Sequence, residues 1–375
     1  MPESLRMPVF IATVLLVWTA MNAYVFWRVG SLVAPYAGPW SRRSAAILLW
    51  TSFPLARIFD RTAPAGLARA FDWFGSTWLG VLFLLTVFLL AADILTGFGR
   101  LWPAVARPLR IAASLAAVGL SAFAMFQALR PPVVVEHEVS LPGLPPERDG
   151  LRFVVISDLH LGTILGERWL GDLVDRIEAL RPDAVFVVGD LVDGNVRRVE
   201  PLRPVLSRLR APLGVFAVTG NHEYYAGLER SVRLLRDAGF TVLRDEASEL
   251  VPGLWLAGVD DLTARRQYGE TDHAVVAALE RAASGPVILL SHSPLDAREA
   301  AAAGADLMVS GHTHAGQIWP FGYVSAIRYP LQAGPYRVDG MDVLVCRGTG
   351  TWGPRMRLFK PSEMFLVTLR AAPGR

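Results

Sequence analysis

Every long apolar run of this 375-residue chain lies before Pro131 and Pro132, and no run of comparable length follows. Such runs belong in lipid or among other helices, and they must satisfy their own backbone groups. Met7 to Val29 contains no acidic residue and is edged by Arg6 and Arg28. At 1.5 Å per residue it reaches across a hydrocarbon core of about 30 Å. Trp73 to Ile94, with Asp93 near its end, and Ile111 to Leu129, framed by Arg110 and Arg130, are two further candidates. Ser114, Gly119 and Ser121 are expected to let a neighbouring helix approach the third. Ala45 to Ile58 is shorter and holds Pro54 and Arg57; it reads as a fourth span, with Arg57 snorkelling to the interface. The expectation is a transmembrane region over residues 1–130, with about four helices near 7–29, 44–59, 73–95 and 110–129.

Four spans would put Arg28, Arg42, Arg43, Arg100, Arg107 and Arg110 on one side. Arg6, Arg57, Arg61, Arg69 and Arg130 would lie on the other, together with the C-terminal half. Arginine-rich loops prefer the cytoplasm, so the count leans toward an extracytoplasmic C-terminal half of a multi-pass membrane protein. The net charge of +3 is too small for a nucleic-acid footprint. A single cysteine, Cys346, excludes an intrachain disulfide framework and a cysteine-rich zinc site.

After a linker and first strand over 131–150, short apolar strands alternate with helical stretches, the pattern of an α/β sheet with helical crossovers. Leu170, Leu173, Val174, Ile177 and Leu180 form one such helical face. Five of the strands run straight into metal-type residues. Arg152–Ile156 leads to Asp158 and His160, Ala184–Val188 to Asp190 and Asp193, and Val215–Val218 to Asn221, His222 and Glu223. Val287–Leu290 leads to His292, and 306–309 to His312 and His314. Loops at one end of such strands converge on a crevice, so ligands remote in sequence can meet there. Carboxylates, imidazoles and an amide oxygen suit Mn, Fe or Zn, and there are more candidates than one tetrahedral ion takes. Two ions sharing a carboxylate is the economical arrangement. Asp193 reads as a supporting or capping residue. Glycine before Asp190, Asn221 and His312 is expected to let the backbone turn sharply. His137 and His273 lack this context and read as surface or packing residues. Of the seven histidines, the other five all lie in these strand-end loops, a concentration that alone argues for a metal site.

In order, D-x-H, G-D, G-N-H-E, a lone His and G-H-x-H resemble the motifs of the calcineurin-like metallophosphoesterases. "GHTHAGQIWPFG" and "RGTGTWGPRMRLF" resemble the membrane-associated, UDP-2,3-diacylglucosamine pyrophosphatase-like phosphodiesterases within that family, although Ala315 stands where that subgroup often has Gly. The resemblance covers about 150–370 and implies a metallophosphoesterase domain over 151–370, a four-layer α-β-β-α sandwich with metals at strand ends. It implies one ion on Asp158, His160, Asp190 and His314, a second on Asp190, Asn221, His292 and His312, and His222 facing the substrate phosphate. The implied activity is hydrolysis of a phosphodiester or pyrophosphate by hydroxide generated between two divalent or trivalent ions, with a phosphoester substrate, in one reading lipid-linked, and membrane lipids as partners. The rival reading is a non-catalytic membrane scaffold or sensor; a missing ligand would mark it, and none is missing. Trp319, Phe321 and Tyr323 follow His314 closely and are expected to pack between the layers of the domain rather than to hold an acyl chain.

Overall fold

The computed structural model describes residues 3–270 and 273–372; the side chain of Arg6 lies outside them. The chain divides into two compact units, one over 1–129 with 353–359, the other over 130–352 with 360–375.

The first unit is built on four helices: α1 (Glu3–Val33), α2 (Pro39–Thr62), α3 (Ala65–Leu95) and α4 (Pro103–Leu129). Residues 11–33, 65–95 and 103–129 are long and apolar enough to cross a membrane. The α2 helix is long enough, but it carries Arg42, Arg43, Arg57, Asp60 and Arg61 and is not among these three. The inward face of α4 is the small-residue stripe Ala113, Ala117, Ser121, Ala124 and Ala128. Gly119, expected to admit a neighbour, faces outward with open space around it. Proximity to Gly119 fails because the 3.6-residue period puts it on the opposite side from Ala117 and Ser121. The segment 353–359 also belongs to this unit: Arg357 N–H donates to Ala124 O at 2.9 Å, and Met356, Arg357 and Leu358 are fully buried.

The second unit contains two six-stranded sheets. One runs β1 (Val133–Pro142), β12 (Glu363–Ala372), β2 (Arg152–Ile156), β3 (Ala184–Val188), β4 (Val215–Val218), β5 (Thr241–Val242) in spatial order. The other runs β10 (Gly334–Val338), β11 (Met341–Val345), β9 (Leu307–Ser310), β8 (Val287–Leu290), β7 (Leu254–Gly258), β6 (Glu246–Val251). Alternation along the strands explains the layering. Phe153, Val155, Phe186 and Val188 share a core with Leu254, Leu256, Ile288, Leu290 and Val309, between the sheets. The intervening residues Val154, Ile156, Val185 and Val187 face outward onto Leu170, Leu173, Val174 and Ile177 of helix α5 (Glu167–Leu180). On the far side, Leu289, Met308 and Val343 pack on Val275, Ala278 and Ala300 from short helices. This is the α-β-β-α sandwich that the motifs imply. Each large side chain buried this way stabilises the fold by about 1.5–3 kcal/mol.

The strands β2, β3 and β4 are parallel neighbours, as are β8 and β9. Their C-terminal ends therefore emerge on common edges, which is what gathers the strand-end loops.

Candidate metal centre

The loops bring the candidate ligands together. Asp158, His160 and His314 offer ligand atoms that all lie within 4.8 Å of one another, and so do Asp190, His292 and His312. The two triads are joined through His160 Nε2, 3.7 Å from Asp190 Oδ2, and His292 Nε2, 4.0 Å from Asp158 Oδ1. All seven candidates except His312 are buried.

Several contacts suit a site for cations. The Nε2 atoms of His160 and His314 stand 3.1 Å apart, and His312 Nδ1 stands 3.3 Å from His292 Nε2. Asn221 Oδ1 and His160 Nδ1 are buried with no hydrogen-bond partner among the described residues. A buried acceptor left unpaired costs about 1–3 kcal/mol, and a cation ligated by Asn221 Oδ1 would remove that cost. The donor set of carboxylate, imidazole and amide oxygen therefore fits a pair of divalent ions.

The backbone holds these side chains at some cost. Asp158, His160, Asp190, His312 and His314 have φ of 55°, 48°, 50°, 71° and 48°. Left-handed backbone disfavours an L-residue by about 1–2 kcal/mol. Compensating contacts fix it: Asp158 N–H donates to Gly189 O, His160 N–H to Asp190 O, and His312 N–H to the Asp158 carboxylate, all at 3.0–3.1 Å. The glycines expected to provide sharp turns do so at one position of three. Gly189 does have φ +75°, but Gly220 and Gly311 do not have positive φ. All three also provide clearance: a Cβ on Gly189 would collide with His292, one on Gly220 with Asp190, and one on Gly311 with Ser157 and Asp158.

The supporting groups were only partly readable from sequence. Asp193, read as a supporting residue, contacts His222 Nδ1 through Oδ1 at 2.9 Å. Glu223, which carried no assigned role, is fully buried and clamps the loops: Oε2 accepts from Asp190 N–H at 3.0 Å and Gly220 N–H at 2.7 Å, and Oε1 from Val192 N–H at 2.9 Å. Its signal was the acidic residue three positions into a helix that starts at Asn221, the capping-box spacing. Gln317 exchanges two hydrogen bonds of 2.9 Å with the backbone of Trp352, whose ring centroid lies 6.0 Å from that of His222. His292 Nδ1 lies 2.8 Å from Val188 O, a contact that presents Nε2 to Asp190 at 3.2 Å.

Charge follows this geometry. Burial pulls His160 and His312 down to about 3, so both are neutral. Burial also disfavours the His222 imidazolium, but Asp190 and the hydrogen bond and charge of Asp193 outweigh it and raise the ring to about 9. His292 is likewise held well above its usual range by Asp190 and Asp158 against the effect of burial. Burial opposes ionisation of Asp158 and Asp190, but the surrounding imidazoles hold both below the usual carboxylate range.

Trp319, Phe321 and Tyr323 are not packed between layers: they are 40%, 45% and 73% exposed, in and beside a helix, Phe321–Arg328, that buries no residue. The apolar count of "IWPFGYV" suggested burial, but Ile318 alone turns inward there. His137 packs edge-on against Phe365, and the exposed His273 pairs with Glu299 at 2.8 Å, both away from the centre.

Residues 151–316 match the family model for calcineurin-like phosphoesterases. An uncharacterized metallophosphoesterase of Aquifex aeolicus is 38% identical over 229 residues, covering 60% of this chain and 87% of that one. A transmembrane protein with metallophosphoesterase domain from Danio rerio is 36% identical over 265 residues, 68% of this chain but 61% of the relative's length. Among solved structures, a 5'-nucleotidase precursor from Thermus thermophilus is similar at a TM-score of 0.36 and 20% identity, covering 58% of this chain and 54% of that one. The chain belongs to the calcineurin-like metallophosphoesterase family.

Proposed function

We propose that this chain is a membrane-anchored, dinuclear-metal phosphohydrolase that cleaves a phosphodiester or pyrophosphate bond of a lipid-linked substrate, as UDP-2,3-diacylglucosamine pyrophosphatase-like enzymes do. The observation that carries the reading is the pair of converging triads, with the buried Asn221 Oδ1 in the loop that Glu223 ties to Asp190. One ion would be held by Asp158, His160, Asp190 and His314, the other by Asp190, Asn221, His292 and His312, with Asp190 shared. When bound, two cations neutralise phosphoryl oxygens and acidify water.

The chain's own groups do the rest. Asp193 fixes the His222 ring through Nδ1, which leaves Nε2 for a phosphoryl or leaving-group oxygen. In the metal-free chain Asp190 and Asp193 raise the ring to about 9, which favours its protonated form. Lipid linkage is supported by three helices apolar enough to cross a membrane and by the exposed Trp319, Phe321 and Tyr323 just beyond His314. In this reading residues 1–130 form the membrane region, α2 is a fourth crossing, the catalytic domain spans 151–370, and the arginine-rich loops lie in the cytoplasm with the catalytic domain outside.

The test is elemental analysis followed by an activity panel with Mn: an artificial diester, a monoester and a lipid pyrophosphate. About two ions per chain and turnover of diester or pyrophosphate are expected. A chain that binds both ions and hydrolyses none of the three would be the scaffold or sensor instead. A topology reporter fused after residue 375 that is active only in the cytoplasm would reverse the orientation.

A further inference from the structure

The helical unit contains a second cluster of charge. Asp93, near the end of α3, is fully buried. Its Oδ2 accepts from Arg28 Nε on α1 at 2.6 Å and from the Tyr24 hydroxyl at 2.8 Å; its Oδ1 accepts from Arg110 Nε on α4 at 2.8 Å. The Arg28 and Arg110 side chains are only 8% and 14% exposed.

Two guanidinium charges face one carboxylate, which leaves one positive charge over. The hydrogen bonding is incomplete in the same sense. Nε and Nη2 form one edge of a guanidinium, the fork that grips two oxygens of an anion. Asp93 takes the Nε of each fork, and the Nη2 atoms of both Arg28 and Arg110 are buried with no partner among the described residues. A buried charge left unpaired costs several kcal/mol. An anion of one negative charge with oxygens to accept from both Nη2 atoms would complete the cluster.

The surroundings say where it comes from. The contact between Arg28, Asp93 and Arg110 brings the end of α1, the end of α3 and the start of α4 together, and Arg42 Nη1 on α2 donates to Gly30 O at 3.2 Å. Over 28–43 and 93–110 the sequence has six arginines and Asp93 as the one acidic residue. Trp27 lies over the Arg28 guanidinium at 3.6 Å and Phe98 at 5.8 Å; both rings are half exposed or more. Trp40 and Trp102 are exposed at this end too. Exposed aromatic rings and basic side chains at helix ends are the composition of a headgroup layer.

We propose that Arg28 and Arg110 form a binding site for the phosphodiester of an anionic membrane phospholipid, entered by displacement of the Trp27 and Phe98 rings. The phosphodiester carries the single negative charge the cluster lacks. The proposal rests on the membrane reading above and is independent of catalysis.

The test uses the full chain in lipid-free detergent, with native mass spectrometry to count bound molecules. Probes are dioleoyl phosphatidylglycerol, dioleoylglycerol, which lacks the phosphate, and inorganic phosphate. Phosphatidylglycerol is expected to bind one per chain, with dioleoylglycerol at least about tenfold weaker, or 1.4 kcal/mol. Arg28→Gln and Arg110→Gln should each lose about tenfold or more. Arg28→Lys keeps the charge but not the fork and should lose about tenfold in phosphatidylglycerol binding with dioleoylglycerol binding unchanged, a selective loss that an ion pair of structural role alone does not give. Equal binding of the two lipids, or full binding by the Gln variants, overturns the proposal. Displacement of the lipid by millimolar inorganic phosphate would assign the site to a free anion and overturn the lipid source. Release of the chain from membranes by alkaline carbonate would sink the membrane reading itself, a separate failure.

Discussion

Glu223→Gln probes the metal centre without touching a ligand. The Glu223 carboxylate accepts three backbone N–H groups from the two loops that carry Asp190 and Asn221. A hydrogen bond to an ionised acceptor contributes about 1.5–3 kcal/mol, and a buried donor left unpaired costs about 1–3 kcal/mol. Glutamine keeps one oxygen but turns an NH2 group toward the remaining N–H, so one charged bond is lost and one donor is stranded. Burial and the Asp190 charge push the Glu223 carboxyl up to about 7, so part of the charged contribution is already absent at neutral pH. The net loss is then about 2–4 kcal/mol, at the lower end of the combined range. For a unit of this size that is a fall of roughly 5–15 °C in unfolding midpoint. Because the displaced loop carries Asp190, metal retained after dialysis should fall as well. Calorimetric unfolding and elemental analysis of the same sample measure both. A variant with full metal content and a midpoint within about 1 °C of the parent would show that the clamp is idle.

His222→Ala should keep its metal and lose about 10²–10⁴-fold in turnover; metal loss by elemental analysis would make His222 a ligand instead. Asp193→Asn should keep metal and lose about 10–100-fold, because the ring loses the group that orients it; unchanged kcat would refute that role. Asp190→Asn should lower the content of both ions, and unchanged stoichiometry would contradict sharing. Loading also has a proton signature. His292 is held well above its usual range, so the metal-free ring is protonated at pH 7, while His160 and His312 at about 3 are already neutral. Ligation requires neutral imidazole, so binding should release about one proton, and affinity should rise about tenfold per pH unit through neutrality; a pH-independent affinity would refute this.

The five strands that carry the ligands were legible because each is a short apolar run ending in a ligand-type residue, a purely local signal. The α5 face was legible for the same reason, from Leu170 to Leu180. The rest depends on contacts between remote positions. Nothing local shows that Gly189, Gly220 and Gly311 all leave room for neighbours, or that Gly189 alone of the three also turns the chain. The Glu223 clamp and the Gln317–Trp352 exchange join loops far apart in sequence. Exposure of Trp319 and Tyr323 went unread because hydrophobicity alone does not say which side of a helix lies on the core. Membrane helices were legible as apolar length, but the inward stripe of α4 depends on which small residues share its phase.

One pairing sets the order in which this protein can be made. Among the described strands β1 pairs with β12 alone, with Val133 beside Glu363, and β12 in turn separates β1 from β2. A ribosome therefore releases β1 long before its neighbour exists. Until β12 arrives, the edge of β2 next to the Asp158 loop stays open, and a nascent chain stalled short of residue 363 has no means of closing its first sheet.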